Sequence, residues 1–143
     1  MATSFLTELL KRRVYTVSEE ITLTAVIEKL AKLNIGSLPV VDRDSKLLGI
    51  ISERDLIKNA HLFRSNDFLS FKVGNVMTKE VIKCNSMATS EDLMSLMTDY
   101  KIRHIPIVRG NFLIGIVSIG DVVKRLLEKY KWETENLKQY IYG

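Results

Sequence analysis

The chain has 143 residues, 46% of them hydrophobic and 27% charged, which is the balance of a folded globular protein and excludes a disordered or collagen-like chain. Its net charge of +4 arises from scattered lysines and arginines, so the sequence argues against a nucleic-acid-binding surface. One cysteine and two histidines exclude an internal disulfide and disfavour a metal site. No apolar run approaches the roughly 18 residues of a membrane span and no secretion signal is visible, so we expect a cytoplasmic protein.

The sequence of the first half recurs in the second half, which indicates a duplicated structural unit. Residues 14–44 align with residues 81–111 at an offset of 67, and residues 47–58 align with residues 113–124 at an offset of 66. The chain contains two prolines, Pro39 and Pro106, and both fall at the same position of the repeat. One repeat of about 60 residues would be marginally stable alone, so we expect the two repeats to fold as a pair.

In chain order, the sequence predicts a short N-terminal helix within residues 5–13 and then the same five elements twice. Each repeat opens with a short strand and an amphipathic helix, continues with two strands around a polar turn, and closes with a second helix. The predicted elements of repeat 1 are strand 14–17, helix 23–33, strands 38–41 and 47–51, and helix 53–60. Those of repeat 2 are strand 81–84, a helix that Thr89 caps and that runs to Tyr100, strands 105–108 and 112–117, and a long helix from Ile119 onward.

The predicted fold class is therefore α/β (α+β), with two β-α-β-β-α repeats packed about a pseudo-twofold axis. We expect residues 1–62 to form repeat 1 with the N-terminal helix, residues 63–76 to form a linker, residues 77–130 to form repeat 2, and residues 131–143 to form a helical tail. The closing helices carry more apolar residues than one core needs, which predicts a homodimer. These residues are Leu56, Ile57, Ala60, Val122, Val123, Leu126, Leu127 and Tyr130.

The repeated segments also carry a family resemblance. The segments Gly49-Ile-Ile-Ser-Glu-Arg-Asp-Leu56 and Gly115-Ile-Val-Ser-Ile-Gly-Asp-Val122 share the pattern Gly-h-x-Ser-x-x-Asp-h, in which h is apolar. Together with Ile35-Gly-Ser-Leu-Pro-Val-Val41 and Ile102-Arg-His-Ile-Pro-Ile-Val108, they make the chain resemble a tandem pair of cystathionine β-synthase (CBS) domains, a Bateman module. The resemblance covers residues 3 to about 128, and the chain as a whole resembles small stand-alone CBS-pair proteins. The family usually has proline where Glu19 and Ser86 stand, a departure that concerns a turn more than the site.

The resemblance implies a regulatory sensor that binds AMP, ADP, ATP or related adenosyl ligands in the cleft between the repeats and modulates a partner protein. No cofactor is required, and the adenosine nucleotide is the regulatory ligand. In the implied site A, Ile50, Ser52 and Asp55 face Val81, Ile82, Lys83, Ile102, Arg103, His104 and Pro106. In the implied site B, Ile116, Ser118 and Asp121 face Tyr15, Thr16, Ile35, Gly36, Ser37 and Pro39.

The Ser-x-x-Asp segments allow two interpretations, which are compatible with each other. Such a segment at the start of a helix is a capping box, and a carboxylate there is also suited to accept hydrogen bonds from both hydroxyls of a ribose. The pair Arg103-His104 stands where repeat 1 has Gly36-Ser37, so we expect site A to hold phosphate more tightly than site B. The alternative is that Arg103 only caps its helix and points to solvent.

Two other function classes can be compared with the sensor. A ligand-free module for protein–protein interaction or oligomerisation, with vestigial sites, would have the same fold, but the presence of both Asp55 and Asp121 argues against it. An enzyme is disfavoured because the sequence contains no nucleophile with a base in context, no glycine-rich phosphate loop and no metal-binding cluster.

Overall fold

The computed structural model describes residues 4–62 and 67–142, which form helices around two small sheets. The helices are α1 (Leu6–Leu9), α2 (Leu23–Leu33), α3 (Glu53–Leu62), α4 (Ser90–Tyr100) and α5 (Ile119–Tyr142), with 3-10 turns at Phe68–Ser70 and Val73–Asn75. The strands are β1 (Ser37–Val41), β2 (Leu47–Ser52), β3 (His104–Arg109) and β4 (Phe112–Ser118). The fold is thus the mixed helix-and-strand architecture that the sequence predicts, with the long C-terminal helix.

The strand pairs are two antiparallel hairpins with matching register. Ser37 lies opposite Ser52 at the open end of β1–β2, and His104 lies opposite Ser118 at the open end of β3–β4. The register shifts at equivalent points, between residues 40 and 41 and between residues 107 and 108. Because the register matches, each hairpin delivers its Ser-x-x-Asp segment to the same place, at the start of the following helix.

The strands predicted at 14–17 and 81–84 are shorter than expected. Each is one bridge residue, Val17 beside Val40 and Cys84 beside Ile107 in parallel orientation. Val17 N–H donates to the Pro39 carbonyl at 3.1 Å, so the next ladder bond toward the N-terminus would need an N–H from Pro39 itself. Proline has no N–H, and Pro106 imposes the same limit on repeat 2. The duplicated prolines that mark the repeat therefore also end these ladders.

The first helix of each repeat begins and ends in the same way. The Thr22 hydroxyl accepts from the Ala25 N–H at the start of α2, and the Thr89 hydroxyl accepts from the Asp92 N–H at the start of α4, as predicted. Asn34 and Lys101 follow the two helices in the left-handed conformation, with φ near 54° and 55°. This reversal turns the chain directly into β1 and β3, which brings the residues before each strand to the open end of its hairpin.

Each repeat has its own core, but the segment that precedes one repeat packs on the other. Leu6 of α1 is fully buried in the core of repeat 2, against residues of α4, β3 and α5. Phe68, Val73 and Val76, which lead into repeat 2, are buried in the core of repeat 1. The described part of the predicted linker is therefore a structural part of repeat 1, whereas residues 63–66 lie outside the described residues.

The two hairpins also meet directly. Leu47 N–H donates to the Asn111 carbonyl and Leu113 N–H donates to the Ser45 carbonyl, each at 2.9 Å. These bonds join the turn of one hairpin to the turn of the other in an antiparallel bridge. The exchanged segments and this bridge hold the two repeats as one folding unit.

The predicted tail is the continuation of α5 rather than a separate element. Trp132, Leu137, Tyr140 and Ile141 all lie on this helix and are exposed. Lys129 forms an ion pair of 2.6 Å with Glu91 of α4, and the helix beyond it extends past the body of repeat 2. None of the helices within residues 4–62 and 67–142 is both long and apolar enough to cross a membrane.

The equivalent glycines of β2 and β4 should respond differently to substitution. A Cβ on Gly49 would lie 2.7 Å from the backbone oxygen of Thr78, whereas a Cβ on Gly115 would meet the end of the Leu10 side chain at the same distance. A backbone atom yields less easily than a side-chain terminus, so Gly49→Ala should lower the free energy of unfolding by about 1–3 kcal/mol and Gly115→Ala by less. Urea denaturation of both variants measures this, and equal losses would contradict the close approach of residues 77–78 to β2.

Candidate functional site

Two Ser-x-x-Asp junctions with nearly identical geometry form the starting point of the site. The Asp55 Oδ2 atom accepts from the Ser52 N–H at 2.9 Å and from its hydroxyl at 3.0 Å, and the Ser52 oxygen accepts from the Asp55 N–H at 3.2 Å. Ser118 and Asp121 form the same three bonds at the same distances. The capping-box interpretation is therefore confirmed in both repeats. It fixes one carboxylate at the start of α3 and one at the start of α5.

Each carboxylate is also held by the segment that leads into the opposite repeat. The Thr78 hydroxyl donates to Asp55 Oδ1 at 2.8 Å, and Ile50 and Thr78 exchange two backbone hydrogen bonds of 2.9 Å. Arg12 forms a bidentate ion pair with Asp121, Nη1 to Oδ1 and Nη2 to Oδ2, both at 2.9 Å. Its Nη2 also donates to the carbonyl of Ile116 at 3.1 Å. The contacts are equivalent in position, but one partner is neutral and the other is charged.

A cavity of about 280 Å³ lies beside Asp121, close to the lower limit of about 300 Å³ for small-molecule pockets. Its wall combines residues of both repeats with residues that precede repeat 1. Seven of the nine residues predicted for site B line it, and Thr16 and Gly36 do not. The full lining is Leu9, Arg12, Arg13, Val14, Tyr15, Ile35, Ser37, Pro39, His104, Ile116, Ser118 and Asp121.

The Ser37 hydroxyl in this wall is an unpaired polar group. Ser37 is 4% exposed, and its Oγ finds no hydrogen-bond partner among the described residues. Buried polar atoms are normally paired, because an unmade hydrogen bond costs about 1–3 kcal/mol. Ser37 is therefore a buried residue of the cavity wall whose hydroxyl has no partner among the described residues.

The ionisable groups of the cavity influence one another. Burial alone would raise the pKa of the Asp121 carboxyl, but the hydrogen bonds from Arg12 and Ser118 outweigh it and hold this pKa below its ordinary value. Burial lowers the pKa of the His104 imidazole, and Arg103 lowers it further, against opposing effects of Glu53 and Asp121. His104 is therefore neutral and Asp121 is ionised at neutral pH.

His104 lies elsewhere than predicted. It was assigned to site A, but its ring lines the cavity of site B and approaches Gly36, where an added Cβ would lie 3.4 Å from its Cε1 atom. The reason is the hairpin register, which places His104 opposite Ser118 of the same repeat. A histidine so placed faces the carboxylate that follows Ser118, which is Asp121.

One hydrogen bond links the two segments that carry residues predicted for site A. The Arg54 guanidinium donates to the Lys101 carbonyl at 2.6 Å, which holds the start of α3 beside the segment that enters β3. The other predicted members differ in exposure. Pro106 is buried, Val81, Ile82 and Ile102 are half-buried, and Lys83 and Arg103 are exposed.

Positive charge is not confined to site A, where the sequence places Arg103. Arg12 and Arg13 line the cavity of site B, and Arg12 is paired there with Asp121. The Arg13 guanidinium lies 5.1 Å from the centre of the Tyr15 ring, a cation–π distance that places it at the cavity wall. The sequence reasoning missed both arginines because the repeat alignment began at Val14. Extending the offset of 67 upstream pairs Arg12 with Lys79, one residue after Thr78, so the alignment does not show their equivalence.

The comparisons with known proteins agree with this architecture. The family model described as "CBS domain" matches residues 6–62 and 73–128, so the chain belongs to the CBS-domain family. Four curated relatives are 35–39% identical to it, and the chain spans between 20% and 69% of their lengths.

Three solved structures are similar to the chain. The CBS-domain containing protein ATU1752 from Agrobacterium tumefaciens is 38% identical with a TM-score of 0.77, over 85% of this chain and 98% of that one. Two others are 25% identical over 90% of this chain and 99% of theirs. They are the CBS domain pair of MJ0100 in complex with 5-methylthioadenosine and S-adenosyl-L-methionine, with a TM-score of 0.76, and CBSX2 in complex with AMP, with a TM-score of 0.75.

The Asp121 carboxylate should contribute stability that depends on pH. Its pKa in the folded state lies below the unfolded value of about 3.9, so its contribution is complete above about pH 5 and is lost as the pH falls through the folded-state pKa. Asp121→Asn should lower the free energy of unfolding by about 1–2 kcal/mol at pH 7, and the difference from wild type should shrink in acid. Urea denaturation between pH 7 and pH 3 measures it.

Asp99→Asn is the matched control, because Asp99 is an exposed residue of α4. This substitution should change the free energy of unfolding by less than about 0.5 kcal/mol at every pH. A constant difference between wild type and Asp121→Asn across the pH range would contradict the assignment.

Proposed function

We propose that the protein is a regulatory module that binds adenosine nucleotides or related adenosyl ligands in the clefts between its two CBS repeats and modulates a partner protein. The observation that carries the proposal is the duplicated carboxylate, Asp55 and Asp121, each fixed at a helix start by the same capping box, with a cavity beside Asp121. The complexes of similar structures with AMP and with S-adenosyl-L-methionine support it. Such a module would report the energy state of the cell if AMP and ATP compete for it.

The chemistry of the site B cavity suits an adenosine ligand. Tyr15, Ile35, Pro39 and Ile116 provide apolar surface for a purine ring, and Asp121 provides acceptors for ribose hydroxyls. The start of α5 together with Arg12 and Arg13 favours a phosphate group. At site A we assign the same role for ribose to Asp55, with Ser52 and Ile50 beside it.

We infer a regulatory rather than a catalytic role, with no cofactor required. Within residues 4–62 and 67–142, no group of three or more His, Cys, Asp or Glu side chains is arranged to hold a metal ion. The ionised Asp121 accepts hydrogen bonds from Ser118 and Arg12, and His104, which lines the same cavity from β3, is neutral. This pair therefore does not form a nucleophile with an adjacent base. A ligand-free interaction module remains the competing function, and the binding experiment below separates the two.

A homodimer is the assembly that the exposed apolar surface favours. Val122 is fully buried and Leu56 and Leu126 pack against the cores, so these three predicted interface residues are already used within the chain. The others remain available, and along α5 the residues at positions 127, 130, 134, 137 and 141 alternate at spacings of three and four. This spacing is typical of the seam of a two-stranded coiled coil, with one threonine among apolar residues. Leu127, Tyr130, Leu137 and Ile141 are each at least 60% exposed.

Adenosine nucleotides should bind and raise the melting temperature, because a ligand of the native state stabilises it by mass action. Asp55→Ala and Asp121→Ala should each weaken one site at least about tenfold, since each removes a charged acceptor of ribose hydrogen bonds. Isothermal titration calorimetry with AMP, ADP and ATP measures affinity and stoichiometry, and Asp99→Ala is the matched control. If wild type binds none of them, or the double variant binds them as tightly as wild type, the proposal fails.

The dimer should depend on the α5 seam. Leu127→Asp places a charge at an exposed seam position and should lower the mass measured by light scattering from that of a dimer to that of a monomer. Met87→Asp is the matched control, because Met87 is 72% exposed in the turn before α4 and lies off the seam. A wild-type mass of one chain at micromolar concentration would exclude the dimer.

A further inference from the structure

The two carboxylates differ in the partner that holds their second oxygen. A carboxylate has about four lone-pair positions, two on each oxygen. Asp55 accepts two hydrogen bonds from Ser52 at Oδ2 and one from the Thr78 hydroxyl at Oδ1. Asp121 accepts two from Ser118 at Oδ2, and the Arg12 guanidinium binds both Oδ1 and Oδ2. Each Oδ1 therefore keeps one open position, but its other position is held by a neutral hydroxyl at Asp55 and by a bidentate guanidinium at Asp121.

This difference matters for a ligand that presents two ribose hydroxyls. At Asp55, rotation of the Thr78 hydroxyl frees the second position at little cost, because the hydroxyl has other acceptors within reach in solvent. At Asp121, both hydroxyls can be accepted only when Arg12 leaves. The two hydrogen bonds to the carboxylate and the bond from Nη2 to the Ile116 carbonyl then break, and a nucleoside without phosphate gives the displaced guanidinium no new anionic partner.

We propose that Arg12 is a specificity-determining residue of site B, which excludes uncharged adenosine ligands and selects ligands that carry phosphate. A phosphate group offers the displaced guanidinium a bidentate partner equivalent to the carboxylate it has lost. The ribose hydroxyls then donate to the Asp121 carboxylate, and the phosphate pairs with the Arg12 guanidinium. Both charged side chains therefore keep hydrogen-bond partners when the ligand binds. This inference rests on the proposed function and specifies the ligand class of one of its two sites.

The surroundings of Arg12 permit this exchange. Arg12 follows the end of α1 in a segment without regular structure, and its side chain is 49% exposed, whereas that of Asp121 is 16% exposed. The guanidinium can therefore swing while the carboxylate stays in place on its capping bonds from Ser118. Arg13 lies on the same cavity wall, held over the Tyr15 ring, and adds positive charge where the phosphate would lie.

The test compares AMP with adenosine at site B alone. Asp55→Ala weakens site A, and calorimetry in that background should give AMP at least about tenfold tighter binding than adenosine. Adding Arg12→Ala should tighten the binding of adenosine and weaken the binding of AMP. The ratio of the AMP affinity to the adenosine affinity should therefore fall by about ten- to hundredfold. Arg12→Gln keeps a polar hydrogen-bonding side chain without the charge and should give the same change, and circular dichroism verifies the fold of each variant.

Arg13→Ala is the matched control in the same background. It removes a neighbouring positive charge but leaves the Arg12–Asp121 pair. The binding of AMP should therefore weaken, while the binding of adenosine should not become tighter. The inference about Arg12 is overturned if AMP binds in the Asp55→Ala background but both Arg12 variants leave the ratio unchanged, or if adenosine weakens with AMP. If neither AMP nor adenosine binds to any of these proteins, the proposed function of site B itself fails.

Discussion

The ion pair between Arg12 and Asp121 joins residues 109 positions apart and holds the N-terminal segment across the second repeat. Its counterpart is the hydrogen bond from Thr78 to Asp55, which holds residues 77–78 across the first repeat. In each case the carboxylate that caps a closing helix is bonded to the segment that leads into the other repeat. The exchanged segments also supply buried residues, Leu6 to one core and Val73 to the other. Folding of the pair and assembly of the two clefts are therefore one event, and neither cleft can form in an isolated repeat.

The same duplication that builds two equivalent carboxylates allows them to diverge. The capping bonds are identical to within 0.1 Å, so the backbone imposes one geometry on both sites. The partner from the exchanged segment is free to differ because it contributes a side chain from outside the repeated motif. A threonine donates one neutral hydrogen bond to one carboxylate, and an arginine forms a bidentate ion pair with the other. A module built in this way can respond to two ligands of different charge through one fold.

The repeat, its elements and the capping boxes could be predicted from sequence because they depend on local periodicity and on duplicated residues such as Pro39 and Pro106. Strand propensity could not predict that the first strand of each repeat is reduced to one bridge residue. Proline has no N–H for the next ladder bond, and this ends the ladder whatever the propensity of the preceding residues. The charge of site B could not be predicted either, because Arg12 lies outside the repeat and reaches Asp121 only through the packing of α1 on the opposite half. His104 lines the cavity beside Asp121, although its sequence position groups it with Arg103, because the hairpin register places it opposite Ser118.

A crystal structure of the protein grown with AMP tests the exchange at Asp121 and Arg12 most directly. We expect AMP in the cavity beside Asp121, with ribose hydroxyls within hydrogen-bond distance of the carboxylate, the phosphate on the Arg12 guanidinium, and Ser118 still bonded to Asp121. An AMP molecule bound away from Asp121, with the Arg12–Asp121 pair intact in the ligand-bound protein, would contradict it.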